Sequence, residues 1–177
     1  MRHPGERSRL KIRGKRIHDE VARTNQQHID NACSRANDIA SFPLWLIVGE
    51  WTPAQTDCAK YLNGRSVGAR YDVRLLMILL SDSLSTYHVH KQGSRSGSPG
   101  VGSCNGLTGK ASSFSSSFKT FLRQYWEAQV TTYERNAGWI QWTWKAEDAD
   151  EWSYQAGLAN GWIPRDPTER KFPGICG

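Results

Sequence analysis

The sequence contains no apolar segment long enough to cross a membrane. Its strongest candidate, VRLLMILL at Val73–Leu80, has eight residues including an arginine, whereas a transmembrane helix needs about 20 apolar residues. No apolar segment follows the basic residues near the N-terminus, so the pattern of a secretory signal peptide is missing as well. These absences predict a soluble protein that has no membrane partner and shows no signal peptide.

The cysteines show no CxxC spacing, which argues against a zinc site, and we predict no bound metal. The four cysteines are Cys33, Cys58, Cys104 and Cys176. Their even number and wide spacing favour two disulfides in an oxidising compartment over four free thiols. The sequence also has no Asn-x-Ser/Thr acceptor for glycosylation.

Most of the net positive charge lies in the N-terminal segment. The formal net charge is +6, and residues 1–23 hold eight Lys and Arg against three Asp and Glu. A nucleic-acid-binding arm is one interpretation, but no aromatic residues are interleaved there for base stacking. We therefore predict that 1–23 is a basic, disordered or artefactual segment and that the protein has no nucleic-acid partner. The 38% hydrophobic content and eight tryptophans are typical of a globular protein.

The first structural unit after this segment combines helix and strand. Thr24–Ala40 is predicted as a helix, because its first residue and Gln27 form a capping box and apolar residues recur at helical spacing. Leu44–Val48, short and apolar between Pro and Gly, is predicted as a strand buried on both faces. Thr52–Gly64 has the start signal of a short helix. Glu50 therefore lies at the C-terminal end of a predicted buried strand.

A second unit repeats this pattern. SSSFKTFLRQYWEAQVTTYER offers serine caps and places Phe118, Leu122, Trp126 and Val130 on one helical stripe, with Phe121 and Tyr125 beside it. WIQWTWK, at Trp139–Lys145, follows as an aromatic strand. Helices that alternate with strands predict an α/β fold.

The carboxylate at the strand end has two interpretations. In α/β sheets and barrels, functional groups collect at the C-terminal ends of parallel strands. Glu50 there suits a glycosidase, which needs a carboxylate at the sugar face, and Trp142 and Trp144 offer a surface on which a sugar ring can stack. The alternative is that Glu50 forms a structural salt bridge and the tryptophans belong to the core. Spacing alone leaves both interpretations open.

Three long segments resemble one known family. IVGEWTPAQTDCAKYLNGRSVGARYD, GSCNGLTGKASSFSSSFKTFLRQYWEAQVTTYE and GWIQWTWKAEDADEWSYQAGLANGWIPRDPTERKFPGIC are similar to the C-terminal part of fungal exo-β-1,3-glucanases (glucan 1,3-beta-glucosidases) of glycoside hydrolase family five. The resemblance covers residues 24–72 and 97–177. It implies about the last two β/α units of a (β/α)8 TIM barrel, incomplete in this chain.

The resemblance also implies an activity and its residues. These enzymes release glucose from β-1,3-glucan with retention of configuration, need no cofactor, and act outside the cell or in the cell wall. Glu50 matches their nucleophile in the GEW motif, and Trp142 matches a tryptophan that lines the sugar site. Trp144 and Trp51 are expected to assist substrate binding. We expect a monomer whose partner is a β-1,3-glucan or oligosaccharide.

The chain departs from the family at the second catalytic group. The proton donor of these enzymes lies in an Asn-Glu-Pro motif, and no Asn-Glu pair occurs here. A complete barrel takes about 250 residues, so the earlier strands are absent too. Glu147 and Glu151 follow the second strand, and we expect both to be loop or surface carboxylates. The isolated chain is therefore predicted to be inactive.

Residues 73–92 interrupt the family pattern within the partial hydrolase domain, 24–177. The first and last codons of VRLLMILLSDSLSTYHVHKQ can match the two ends of a small intron that is read through in frame. We therefore predict a retained intron, with a genuine loop insertion as the alternative. If real, this stretch should be disordered or ill-packed.

The resemblance further implies the disulfide pairing Cys58–Cys104 and Cys33–Cys176. Three hypotheses follow in order of preference. The first is a fragment of a retaining β-1,3-glucanase, the second a non-catalytic carbohydrate-binding remnant that stacks sugars through Trp51, Trp142, Trp144 and Trp162, and the third a nucleic-acid-binding protein that depends on residues 1–23.

Overall fold

The structure is a computed structural model that describes residues 21–77, 89–93 and 101–177, with the backbone only for 73–77 and 89–93. The chain divides into two compact units. The main unit comprises Thr24–Gln55 and Asn105–Gly177. The second unit comprises the described parts of Met1–Arg23 and Thr56–Cys104. No helix in the described part of the chain has both the length and the apolar character to cross a membrane.

The described chain contains both helices and strands. In chain order they are α1 (Asn25–Cys33), α2 (Ala36–Ala40), β1 (Ile47–Trp51), β2 (Val73–Met77), β3 (Val89–Gly93), α3 (Ser116–Tyr133), β4 (Gly138–Gln141) and α4 (Tyr154–Asn160), with 3₁₀ turns at Ala111–Ser113 and Asp150–Trp152. This mixture of helix and strand agrees with the predicted α/β class at a coarse level.

The predicted helix Thr24–Ala40 is divided into α1 and α2. Its start is confirmed: the Thr24 side chain accepts a hydrogen bond from the Gln27 N–H at 3.2 Å, and the Gln27 side chain accepts from the Thr24 N–H at 2.8 Å. The division follows Cys33, where the Ser34 hydroxyl donates to the carbonyl of Asn31 at 2.8 Å. Such a local side-chain bond competes with continued helix.

The long helix α3 organises the core of the main unit. Ser115 caps it by accepting from the Phe118 N–H at 3.1 Å. The predicted stripe is buried, with Leu122, Trp126 and Val130 showing no exposure. Burial extends beyond that stripe to polar positions: Arg123, Glu127, Gln129 and Thr132. The helix is thus surrounded by protein on more than one face.

Strands β1 and β4 pair in parallel, and α3 lies between them in the chain, as in a β-α-β unit. The predicted strand Leu44–Val48 lies three residues too early, and burial on both faces is wrong. Leu44 is 69% exposed and Ile47 is 59% exposed. Val48 and Trp51 pack in or against the core, whereas the residues between them are exposed, so one face of β1 is covered.

Buried ionic contacts connect the C-terminal segment to α3. Glu127, which has no exposed surface, accepts from the side chain of Arg123 and from the N–H groups of Lys171 at 2.7 Å and Phe172 at 2.8 Å. Arg123 also donates to the Glu169 carboxylate at 3.1 Å. Nearby, Cys33 and Cys176 form the disulfide that the resemblance implies.

The second unit contains a loop organised by one carboxylate. Asp57, 4% exposed, accepts from the N–H groups of Arg70 and Tyr71, from the Arg70 guanidinium at 2.8 Å and from Asn63 at 2.9 Å. The predicted helix over Thr52–Gly64 is wrong, because this stretch forms turns. Its polar groups bond to the Asp57 side chain and to each other rather than in a helical ladder.

The second unit also holds the Cys58–Cys104 disulfide, again as the resemblance implies. Strands β2 and β3, at the two ends of the 73–92 segment, pair antiparallel from Val73 opposite Gly93 to Met77 opposite Val89. The retained-intron hypothesis stays a prediction. Residues 1–20, where most of the basic segment falls, and 78–88 lie outside the described residues.

Candidate functional site

Glu50 occupies an irregular position at the end of β1. The pairing runs Ile47 to Gly138, Val48 to Trp139 and Gly49 to Ile140, and then shifts so that Trp51 lies opposite Gln141. Glu50 is therefore the extra residue of a bulge, and its φ of 55° lies in the left-handed region. Bulges at strand ends redirect a side chain away from the sheet. The Glu50 side chain is exposed to solvent.

The backbone on both sides of this bulge is held by hydrogen bonds. The Trp142 N–H donates to the carbonyl of Trp51 at 3.0 Å, which places the residue after β4 beside the residue after Glu50. The buried Gln129 of α3 donates to the carbonyl of Thr52 at 3.1 Å. The position of Glu50 is thus fixed from β4 and from α3.

Trp142 and Trp144 lie just after β4 and are the exposed aromatic residues of this region, at 56% and 61% exposure. The predicted strand Trp139–Lys145 ends at Gln141, and a cis peptide joins Trp142 to Thr143. Trp144 stacks on Tyr154 of α4, with ring centroids 5.9 Å apart and planes 22° from parallel. Both tryptophans therefore follow the same strand end that neighbours Glu50.

Trp51 lies in the core rather than at the surface. It is 6% exposed and packs edge-on against Tyr133 and Trp139, at centroid distances of 5.3 and 5.2 Å. Trp162 is 1% exposed in the same hydrophobic core. The expectation that these two rings stack on sugar is corrected, because their faces are covered by α3 and its neighbours.

Glu151 also lies elsewhere than the sequence predicted. It was expected at the surface, whereas it is 2% exposed, and its carboxylate accepts from the Thr108 hydroxyl at 2.6 Å. Burial raises the pKa of the Glu151 carboxyl to about 7. A raised carboxyl pKa is typical of a general acid, but a side chain this buried does not reach a glycosidic oxygen. Glu147 is exposed, as expected.

The exposed groups at the strand ends include one carboxylate, which can donate an electron pair to an electrophile. They also include two aromatic rings, on which a sugar ring can stack. Within residues 21–77, 89–93 and 101–177, no three His, Cys, Asp or Glu side chains come together as metal ligands. Glu50, Trp142 and Trp144 all belong to the main unit, so the candidate site lies within one compact body.

Comparison with known proteins identifies relatives of this chain. It is 41% identical over 160 residues to a glucan 1,3-beta-glucosidase of Blumeria graminis and 36% identical over 158 residues to one of Kluyveromyces lactis. It is 40% identical over 151 residues to a probable glucan 1,3-beta-glucosidase A of Aspergillus niger. No protein-family model matches the chain.

These alignments cover 90%, 89% and 84% of this chain but 33%, 33% and 32% of the relatives. The names of the relatives describe a glycosidase. The chain is therefore related over most of its length to the fungal glucan 1,3-beta-glucosidases and spans about a third of the length of these relatives.

Proposed function

We propose that this chain carries the C-terminal part of a retaining glycoside hydrolase that acts on β-1,3-glucan, with Glu50 as its nucleophile. The observation that carries the proposal is the exposed Glu50 carboxylate at a bulge between two parallel strands, beside the exposed Trp142 and Trp144. The names of the relatives support the substrate class. In this proposal the β1-α3-β4 unit belongs to a TIM barrel whose other strands come from sequence outside this chain.

The proposed chemistry is a double displacement. The Glu50 carboxylate attacks the anomeric carbon, the bond to the leaving oxygen breaks, and a second carboxylic acid gives that oxygen its proton. Water then attacks the same carbon and gives a proton to the second carboxylate, the bond from that carbon to Glu50 breaks, and glucose leaves with retained configuration. The two carboxyl groups must lie about 5 Å apart for this reaction. The chain has no Asn-Glu pair to supply the second group, so we propose that it is inactive on natural glucan by itself.

Trp142 and Trp144 are proposed to bind the sugar by stacking. Their exposed faces follow β4, and the stack of Trp144 on Tyr154 keeps that ring oriented. Each aromatic contact contributes about 0.5–1.5 kcal/mol beyond the area it buries. Trp142→Ala should therefore weaken binding of laminaritriose by roughly tenfold. Trp45→Ala is the matched control, because Trp45 is 94% exposed but precedes β1 rather than following it.

The nucleophile can be tested without the missing acid. 2,4-Dinitrophenyl 2-deoxy-2-fluoro-β-glucoside has a leaving group that departs without protonation, and its fluorine slows hydrolysis of the glycosyl-enzyme. Mass spectrometry of the treated chain should find the fluoroglucosyl group on the peptide that contains Glu50 and should find none on Glu50→Gln. Labelling elsewhere, or no labelling of a chain that binds laminaritriose, would contradict a nucleophilic Glu50.

The second candidate is a non-catalytic carbohydrate-binding remnant, favoured by exposed tryptophans in a chain without the acid motif. It predicts saturable laminaritriose binding that depends on Trp142 but no covalent labelling. The disulfides Cys33–Cys176 and Cys58–Cys104 support an extracellular or cell-wall location for either function, because disulfides persist in oxidising compartments. A monomer remains our proposal for the oligomeric state.

Residues 73–92 are proposed to be a retained intron within the partial hydrolase domain. Sequencing the transcript tests this. A spliced message that lacks residues 73–92 and extends upstream through an Asn-Glu-Pro motif supports both the retained intron and the proposal that the chain is part of a longer hydrolase. A message that retains the stretch would identify it as a genuine insertion.

A further inference from the structure

Glu151 combines deep burial with incomplete hydrogen bonding. Its Oε1 accepts from the Thr108 hydroxyl at 2.6 Å, while Oε2 is buried and has no hydrogen-bond partner of normal geometry among the described residues. Burial raises the pKa of this carboxyl to about 7, against the opposing effects of Thr108 and of the N–H groups of Glu151 and Gly109. Burying a protonated carboxyl costs less free energy than burying a carboxylate with an oxygen that accepts no hydrogen bond.

Glu151 belongs to a turn that contacts both strand ends of the candidate site. The turn Asp150–Trp152 presents its carbonyls to them: the Thr52 hydroxyl donates to the carbonyl of Glu151 at 3.4 Å, and the Thr143 N–H donates to the carbonyl of Trp152 at 3.1 Å. Thr52 is two residues after Glu50, and Thr143 directly follows Trp142.

The same turn is joined to the segment around Thr108. The Asp150 N–H donates to the carbonyl of Gly109 at 2.8 Å, and the Ala111 N–H donates to the Asp150 carboxylate at 2.8 Å. The Thr108–Glu151 bond is a second side-chain contact of this set, and it is formed by the buried carboxyl of Glu151.

We propose that Glu151 is a positioning residue: its buried side chain holds the turn Asp150–Trp152 against Thr108, and the turn holds the backbone beside Glu50 and Trp142 in the arrangement that binds sugar. The part that concerns sugar binding rests on the proposed function. Glu151 does not contact the substrate, because its side chain is buried behind the strand ends.

Deprotonation weakens this arrangement. The charge appears on a buried group whose Oε2 receives no normal hydrogen bond, and the neighbouring Asp150 charge opposes it. The other charged groups described around the turn are exposed. Lys110 pairs with Asp148 at 3.0 Å, and Glu147 directly precedes Asp148 in the chain. The sugar site should therefore loosen as the pH rises above 7.

The test compares laminaritriose binding by the full chain at pH 6 and pH 8. The wild-type dissociation constant should rise about tenfold, which corresponds to one pH unit beyond the pKa of the carboxyl. Glu151→Gln, which cannot ionise, should bind equally at both pH values with the affinity of the wild type at pH 6. Glu147→Gln, an exposed change in the same region, should retain the wild-type pH dependence.

Hydrogen exchange separates failure of this inference from failure of the proposed function. With intrinsic rates corrected for pH, the amides of Thr143 and Tyr154 should lose protection between pH 6 and pH 8 in the wild type but not in Glu151→Gln. Thr108→Val should lower their protection at both pH values. This pattern without any sugar binding supports the positioning role and contradicts the proposed function. Protection that does not change with pH, or that changes equally throughout the main unit, overturns the positioning role.

Discussion

The N–H of Trp142 donates a hydrogen bond to the carbonyl of Trp51 at 3.0 Å, one residue beyond the bulge at Glu50. This bond restores the pairing of the two strands after the extra residue. Because Trp51 is also fixed in the core by Tyr133 and Trp139, Glu50 must absorb the irregularity in its own backbone. Its φ of 55° is the result.

The backbone at Glu50 should therefore prefer glycine over alanine. The left-handed region costs a residue with a Cβ about 1–2 kcal/mol, whereas glycine enters it freely but loses about 0.5–1 kcal/mol through its more flexible unfolded chain. Glu50→Gly should be more stable than Glu50→Ala by roughly 0.5–1 kcal/mol, as measured by urea unfolding. At Val48, in the regular part of β1, the order should reverse. The same order at both positions would contradict a strained Glu50.

The buried carboxylate Glu127 should contribute far more stability than an exposed counterpart directly after the end of the same helix. Glu127 accepts from Arg123 and from two backbone N–H groups of the C-terminal segment, so Glu127→Gln removes the buried charge partner of Arg123 and leaves it the exposed carboxylate of Glu169. The expected loss is about 3–5 kcal/mol of unfolding free energy.

Glu134 provides the matched control, because it also joins α3 to the C-terminal segment, through Arg170 at 2.8 Å, but its side chain is 44% exposed. Glu134→Gln should cost less than about 1 kcal/mol. Equal losses for the two variants would show that burial does not determine the strength of these contacts.

The sequence predicted the elements whose signals are local. The capping box at Thr24, the serine cap and apolar stripe of α3 and the second strand after it are all present, the strand with a shorter extent. Each depends on hydrogen bonds or side-chain spacing within one segment. The strand position of Glu50 was also predicted nearly correctly, although the bulge was not.

The errors arose where a segment's environment depends on distant residues. Leu44 is apolar yet exposed, and it lies before β1 rather than within it. The turns around Asp57 replace the predicted helix, since their hydrogen bonds come from Arg70 and Tyr71, more than ten residues away. Glu151 is charged yet buried, and its partner Thr108 lies 43 positions earlier. Spacing within one segment carries no signal for such contacts.

Asp57 should make the second unit sensitive to acid. Burial acts to raise the pKa of its carboxyl, but the hydrogen bonds from Arg70, Tyr71 and Asn63 outweigh it and hold the pKa below its ordinary value. The stability that this lowering contributes is present above the unfolded-state pKa of about 3.9 and is lost as the pH falls through the folded-state value.

Asp57→Asn should accordingly cost about 2 kcal/mol at pH 7, because it weakens several hydrogen bonds to a charged acceptor. The difference from the wild type should shrink toward pH 3. Protection of the Arg70 and Tyr71 amides from hydrogen exchange gives the local measurement. Asp38→Asn, an exposed change, should stay within about 0.5 kcal/mol of the wild type. A difference that does not depend on pH would contradict a charged Asp57.

Glu151 should give the opposite pH dependence in the main unit. Its pKa is raised by burial from 4.5 to about 7, so the folded state retains a proton that the unfolded chain releases. The stability that protonation contributes is fully present below the unfolded-state pKa and is lost as the pH rises from 4.5 to about 7. A shift of this size corresponds to roughly 3 kcal/mol.

Glu151→Gln should remove this slope, because glutamine has the shape of the protonated acid and does not ionise. Urea unfolding of the wild type and the variant between pH 4 and pH 8 measures the effect as the difference between the two profiles. That difference should change by roughly 3 kcal/mol across the range and level off above pH 7. Glu147→Gln, which alters an exposed carboxylate four residues earlier, should leave the wild-type slope unchanged. Parallel profiles for the wild type and Glu151→Gln would mean that the pKa of Glu151 is the same in the folded and the unfolded chain. Burial would then not favour the protonated carboxyl.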